Sequence, residues 1–246
     1  MGGHGAIRVS AAAALLVVMA AAGPGARGQF PQIPGLGGVS NKGAGLDDAK
    51  IASGLKEALS VGTQRAVTQV GRTGGYLDNA AIKILLPQNL RPVEKVLRGA
   101  GQGAAIDGFI ASMNHAAETA APEAANIFGT AVKEMSIDDA RRLLSGGNTS
   151  VTDYFKRKTS TQLATAFRPH VETAMRKNGV SQQYDALLGQ APRLPFLTSS
   201  KLDINTYVVN KALDGLFYVL GQQEMQIRTN PQARSTTLLK QVFGAR

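Results

Sequence analysis

Residues 211–220, KALDGLFYVL, decide the fold class. Leu213, Leu216, Phe217 and Leu220 stand at i, i+3, i+4 and i+7, which on a helix forms one apolar stripe. Burying each of these side chains contributes roughly 1.5–3 kcal/mol, so the spacing predicts a helix held against a core. Asp203 stands where a carboxylate can accept the orphan amide protons of the first turn. Asn230-Pro231 then ends this helix and starts another.

The same spacing runs through the chain upstream. Ile51, Leu55, Leu59, Ala66 and Val70 define a first helix, capped by Asp47 or Asp48 and stopped by Gly71. Gly54 and Gly62 each cost about 1 kcal/mol relative to alanine in a helix interior, which points to close helix packing there. Helical pattern returns over Pro92–Arg98, then over Ala104–Ala120 through Ile106, Ile110, Met113 and Ala117. Pro122 suits the first turn of a further helix, which buries Phe128, Ala131, Val132 and Met135. Ser136-Ile-Asp-Asp139 and Ser150-Val-Thr-Asp153 each put a hydroxyl three residues before a carboxylate, the capping-box arrangement with Asp in place of Glu. The helix after the second of these turns Tyr154, Phe155, Leu163 and Phe167 inward, and Pro169 kinks or restarts it.

Residues 72–90 break the pattern. Their glycines, the Asp78-Asn79 pair and the Ile82-Lys-Ile84 alternation ending at Pro87 predict a short extended segment near 82–86 or an ordered loop, not a sheet. Residues 190–200, with Pro192 and Pro195, are expected to form a loop. The fold expected is all-α: a single domain of eight to ten helices over 46–246, behind a flexible Pro/Gly-rich lead-in at 29–45. No repeat of solenoid length is present.

Composition closes several functional classes. With no cysteine among 246 residues, there is no disulfide, thiolate nucleophile, zinc–thiolate site, iron–sulfur cluster or N-terminal lipoprotein anchor. Ala11 to Ala22 is an apolar run behind Arg8. It is far short of the roughly 20 residues of a membrane-spanning helix but suited to the core of a secretory signal. Residues 1–28 are therefore expected to be a signal peptide, cut after Gly28 or Ala22, and in a bacterium the product is periplasmic. Cutting after Gly28 removes Arg8 and Arg27, leaving 25 basic against 17 acidic residues and a net charge of +8. After export the anions within reach are lipid headgroups, lipopolysaccharide and other envelope polymers, so anionic envelope components are the expected partners and nucleic acid is not.

Several short motifs carry less than their letters suggest. Ser53-Gly-Leu-Lys56 has the Ser-x-x-Lys spacing of penicillin-interacting enzymes, but the Ser-Asp-Asn and Lys-Thr-Gly elements are missing. Gly99-Ala-Gly-Gln-Gly103 follows a helix, not a strand, and no Lys-Ser/Thr comes after it. A metal site needs three or four protein ligands, and only His115 and His170 remain once the signal is removed. No metal or cofactor is expected. Lys156-Arg-Lys158, with Arg168 further on, reads as a solvated surface or as an anion-binding ridge.

Three stretches resemble a known family: MNHAAETAAPEAANIFGTAVKEMSIDDARRLLSGG from Met113, TDYFKRKTSTQLATAF from Thr152, and KALDGLFYVLGQQEMQIRTNPQARSTTLLKQVF from Lys211. They are similar to the bacterial domain-of-unknown-function family DUF4197, over roughly Leu46 to Phe243. The resemblance implies an export signal and a helical fold, and it brings no activity, cofactor or catalytic residue. At His115 it implies arginine.

Packing accounts for the apolar part of the last stretch but not for Asp214, Glu224, Arg228 and Arg234. These either pair across helices or line a polar groove. With Glu118 and Glu123, set on either side of the Pro122 junction, they form a candidate polar cluster. The leading functional reading is a non-enzymatic envelope binding or scaffolding protein. The alternatives are an envelope hydrolase using carboxylates such as Glu118 and Glu123, and a carrier of a lipid or other apolar ligand.

Overall fold

The helices follow the apolar spacing closely. In the computed structural model they are α1 (Asp48–Gly71), α2 (Arg91–Gly99), α3 (Gly103–Ala120), α4 (Ala124–Glu134), α5 (Ile137–Ser145), α6 (Ser150–Lys177) and α7 (Ile204–Thr229). Short 3-10 turns lie at 88–90, 121–123 and 231–233. The structure describes residues 48–177 and 203–234, together with 236, 237 and 240. The expected signal, lead-in and 190–200 loop lie outside these residues, as does Asp47. So does part of the chain over which eight to ten helices are expected.

Among the described residues the fold is all-helical, with no strand. None of these helices is long and apolar enough to cross a membrane. The long helices α6 and α7 pack on each other; α3 packs on both, and α1 lies against α4, α5 and α7. The α7 stripe is buried as its spacing predicts, and Phe217 reaches Phe128 of α4 with ring centroids 6.1 Å apart. Phe128 in turn meets Phe155 of α6 edge-on at 5.1 Å. Ala116, Ala117, Ala120, Ala121 and Ala124 are fully buried and let backbones approach where α3 passes through the Pro122 turn into α4.

Two helix starts follow their local chemistry. Asp203 accepts from the Asn205 and Thr206 amides at 3.0 and 3.1 Å. Ser136 and Asp139 form the reciprocal capping box of α5.

Three local expectations need correction. Ser150 does not cap α6, because its hydroxyl donates to the Leu143 carbonyl at 2.9 Å and accepts from Arg228. Pro169 does not restart α6, which runs through it without a break. At Gly62 a β-carbon would sit an ordinary 3.6 Å from Ile227, so close packing does not demand glycine there.

Candidate functional site

Residues 72–90 join α1 to α2 with only the terminal 3-10 turn as regular structure. Unstructured connections beyond ~12–15 residues are uncommon in compact domains, and when ordered they tend to carry function. This one is held at four points. The chain turns sharply after α1 at Gly74, which has φ +76°, and at Gly75, where a β-carbon would lie 2.3 Å from the Val70 carbonyl oxygen. Buried Glu118 of α3 then accepts from the Tyr76 and Leu77 amides at 3.0 and 3.2 Å. Its other oxygen lies 2.8 Å from His115 Nδ1.

The Tyr76 side chain is fully buried, and its hydroxyl donates to the Ala212 carbonyl of α7 at 2.6 Å. Burial, with the Glu118 charge nearby, pushes that hydroxyl far above the ordinary tyrosine range, so it remains a donor at any physiological pH. Residues 82–86 alternate between buried and exposed, the period of an extended segment. Among the described residues no strand lies beside them. Instead the Asn114 side chain pairs with the backbone: the Ile84 amide donates to Oδ1 at 2.8 Å, and Nδ2 donates to the Ile84 carbonyl at 2.9 Å. A side-chain amide thus stands in for a neighbouring peptide, which satisfies a buried extended backbone inside a helical protein. Finally, the Tyr207 hydroxyl donates to the Leu85 carbonyl at 2.9 Å.

The loop and α7 enclose a surface groove of about 560 Å³. Its loop wall carries Lys83, Leu85 and Arg91; its helix wall carries Tyr207, Lys211, Asp214 and Tyr218. Gly215 forms part of the floor and leaves room for the loop's close approach: a β-carbon there would lie 2.5 Å from the Tyr76 ring and 3.1 Å from Ile82 Cβ. Lys211 pairs with Asp214 at 3.2 Å. Among the described residues neither Lys83 nor Arg91 forms an ion pair, although the Lys83 charge reaches Asp107 at longer range. Burial raises the Tyr207 hydroxyl, while Lys211 and Arg91 act on it in the opposite sense, so both cations project their field over the Tyr207 corner of the groove.

The family described as protein of unknown function (DUF4197) matches residues 45–244, almost all of the chain after its apolar N-terminal run. The chain belongs to this family. No curated protein and no solved structure matches it. The match agrees with the resemblance carried by the stretches beginning at Met113, Thr152 and Lys211.

In this DUF4197 chain the residues of the expected polar cluster separate into distinct places. Glu224, which is buried, and Arg228, which is partly buried, come together 2.9 Å apart. The Glu224 carboxylate accepts from the Val151 and Thr152 amides at 3.0 and 2.9 Å, capping α6 from a different helix. Arg228 donates to the Leu143 and Leu144 carbonyls at the end of α5. One ion pair therefore ties the end of α5 and the start of α6 to α7, with the helix dipoles favouring each charge where it lies. Arg234 donates to the Ile227 and Arg228 carbonyls, closing the end of α7.

Glu118 lies elsewhere, under the loop. Glu123 faces His170 of α6 at 3.3 Å in a half-exposed pair. Asp214 belongs to the groove. Lys156, Arg157 and Lys158 are exposed on α6, while Arg168 is balanced by Asp203 at 3.8 Å and Glu172 at 3.9 Å. Among the described residues no group of three His, Asp or Glu is placed to hold a metal.

Sequence reasoning reached Asp214 but missed Lys83, Arg91, Tyr207, Lys211 and Tyr218. One signal was available. Tyr207, Lys211, Asp214 and Tyr218 recur at i, i+4, i+7 and i+11, a polar and aromatic face on the far side of α7 from its leucines.

Proposed function

We propose that this protein is exported and acts without catalysis, as a binding protein that holds anionic components of the cell envelope in the groove between residues 81–91 and α7. The observation that carries this reading is the pair of cations, Lys83 and Arg91, that form no ion pair among the described residues, on the groove's loop wall beside exposed Leu85. A ligand-sized cleft lined by apolar and aromatic groups with a few charged ones is the usual form of a small-molecule site. Its surplus of positive charge favours anions.

The rest of the molecule supports binding over the alternatives. Glu118 has one oxygen on two backbone amides and the other on His115, and Glu123 is turned toward His170, so the two carboxylates do not flank a common space. The interior space between α1, α6 and α7 beside Glu224 and Arg228 is about 20 Å³. That is too small for an apolar cargo. Export is supported by the apolar run at 11–22 behind Arg8.

The test has two arms. Expression in a bacterium with fractionation and intact-mass measurement should find the protein in the periplasm, shortened at its N-terminus. Co-sedimentation with phosphatidylglycerol and phosphatidylcholine vesicles should show binding to the anionic ones alone, weakened in the Lys83→Glu/Arg91→Glu variant. Full-length protein in the cytoplasm, or vesicle binding indifferent to that variant, would overturn the proposal.

A further inference from the structure

Charge balance and exposed apolar surface coincide in the groove and narrow its ligand. Lys83, Arg91 and Lys211 stand against one carboxylate, Asp214, which is already spent on Lys211. Among the residues lining the groove the surplus is two positive charges on the loop wall, where Lys83 also feels the more distant Asp107, while the Lys211–Asp214 pair leaves the opposite wall neutral. Five large apolar or aromatic side chains are exposed among the described residues, Leu85, Val96, Ile137, Tyr218 and Met225, and two of these, Leu85 and Tyr218, line this one groove.

We infer that the groove's ligand is a small amphipathic phosphate monoester, its headgroup on Lys83 and Arg91 and its apolar tail along Leu85 and Tyr218. This rests on the binding reading above and adds the chemical class. A phosphate monoester carries about −1.5 to −2 charge at neutral pH, which matches the surplus, whereas a single carboxylate leaves half of it uncompensated. Arginine meets phosphate through paired N–H donors, and lysine as a point charge. The tail accounts for the exposed leucine and for Tyr218, which an anion alone would not need. A long polyanion is a poorer fit, since the opposite wall, with Asp214 paired to Lys211, offers it no further net positive charge.

The experiment uses the whole mature chain and its own tyrosines. The sequence has five tyrosines and no tryptophan, and two of the five, Tyr207 and Tyr218, line the groove, so tyrosine emission reports ligand entry directly. Titrations compare n-octyl phosphate with inorganic phosphate and with n-octyl glucoside. Octyl phosphate is expected to bind at least about tenfold more tightly than either. Lys83→Glu or Arg91→Glu should each weaken it by about tenfold or more, and Tyr218→Ala should weaken octyl phosphate while leaving inorganic phosphate unchanged. Lys156→Glu/Arg157→Glu on the α6 ridge should stay within about twofold of wild type. All these positions are exposed, and far-UV circular dichroism checks that each variant is folded.

Inorganic phosphate binding as tightly as octyl phosphate would overturn the tail assignment, and octyl glucoside doing so would overturn the headgroup. Loss in the ridge variant, with none in the groove variants, would overturn the location. If octyl phosphate fails while vesicle binding still depends on Lys83 and Arg91, this inference falls and the broader binding proposal stands. If charge reversal in the groove changes neither, both fall.

Discussion

Gly215→Ala tests the architecture of the groove most sharply, because two effects of opposite sign meet at one atom. Alanine gains about 1 kcal/mol over glycine in a helix interior, and Gly215 sits in the middle of α7. Against this, the new β-carbon would lie 2.5 Å from the Tyr76 ring and 3.1 Å from Ile82 Cβ. The ring has nowhere to retreat, being fully buried with its hydroxyl tied to the Ala212 carbonyl. Overpacking of this kind costs about 1–3 kcal/mol, and loss of the Tyr76 hydrogen bond adds about 1 kcal/mol. The net expectation is destabilisation by about 1–3 kcal/mol.

Gly108→Ala and Gly129→Ala supply the comparison. Both positions are helical, and a β-carbon there meets nothing within 4 Å. Each should therefore stabilise by up to about 1 kcal/mol. Urea unfolding followed at 222 nm measures all three, and the gap between Gly215 and the two open sites should be about 2–4 kcal/mol. In a Tyr76→Leu background the cost of Gly215→Ala should shrink, since the opposing ring atom is gone. Gly215→Ala as stable as wild type, or as stabilising as Gly129→Ala, would refute the claim that loop and helix are pressed together here.

Three further outcomes follow from the buried polar contacts and the caps. Glu224→Ala uncaps α6 and takes the ion-pair partner from Arg228, which keeps its bonds to Leu143, Leu144 and Ser150, so it should cost about 1–3 kcal/mol and speed amide exchange at Val151 and Thr152. Asn114→Ala removes the side-chain partner of the Ile84 amide and should cost about 1–3 kcal/mol, with hydrogen exchange rising at Ile84 before it rises in α3. The Asp139 carboxyl is held below its ordinary range by Arg142 and Ser136, and that of Asp203 by the Thr206 hydroxyl and the first-turn amides. A depressed carboxyl adds stability that is complete above its unfolded pKa of about 3.9 and is lost as pH falls through the lower folded value. The Asp139→Asn/Asp203→Asn variant should therefore show a shallower decline of urea midpoints below about pH 4 than wild type.

How far each element is legible depends on how far away its partner lies. The α7 stripe, the Asp203 cap and the Ser136–Asp139 box are complete within one helix or its first turn, and all three form as their spacing predicts. Ser150–Asp153 has the same letters at the same spacing and does not form a box, because Glu224, 72 positions along the chain from Thr152, reaches the α6 amides instead. A local cap worth about 1 kcal/mol gives way to a buried carboxylate that satisfies two amides and an arginine together. Nothing near Ser150 announces that competitor.

The groove has the same character at larger scale. Its helix wall is periodic and visible in the letters from Tyr207 to Tyr218, but a polar face on a helix is ordinarily just solvated. What turns it into a site is the loop laid against it, and that placement depends on Tyr76 reaching Ala212, 136 positions away, and on Gly215 leaving room for the approach. The same holds for Glu118, whose spacing from His115 invites a catalytic reading. Its environment spends both oxygens on holding the loop in place. Buried carboxylates that accept backbone amides are anchors, and here the anchored element carries Lys83 and Arg91 to the surface. The charged residues most conspicuous in the sequence position the site, and less conspicuous ones line it.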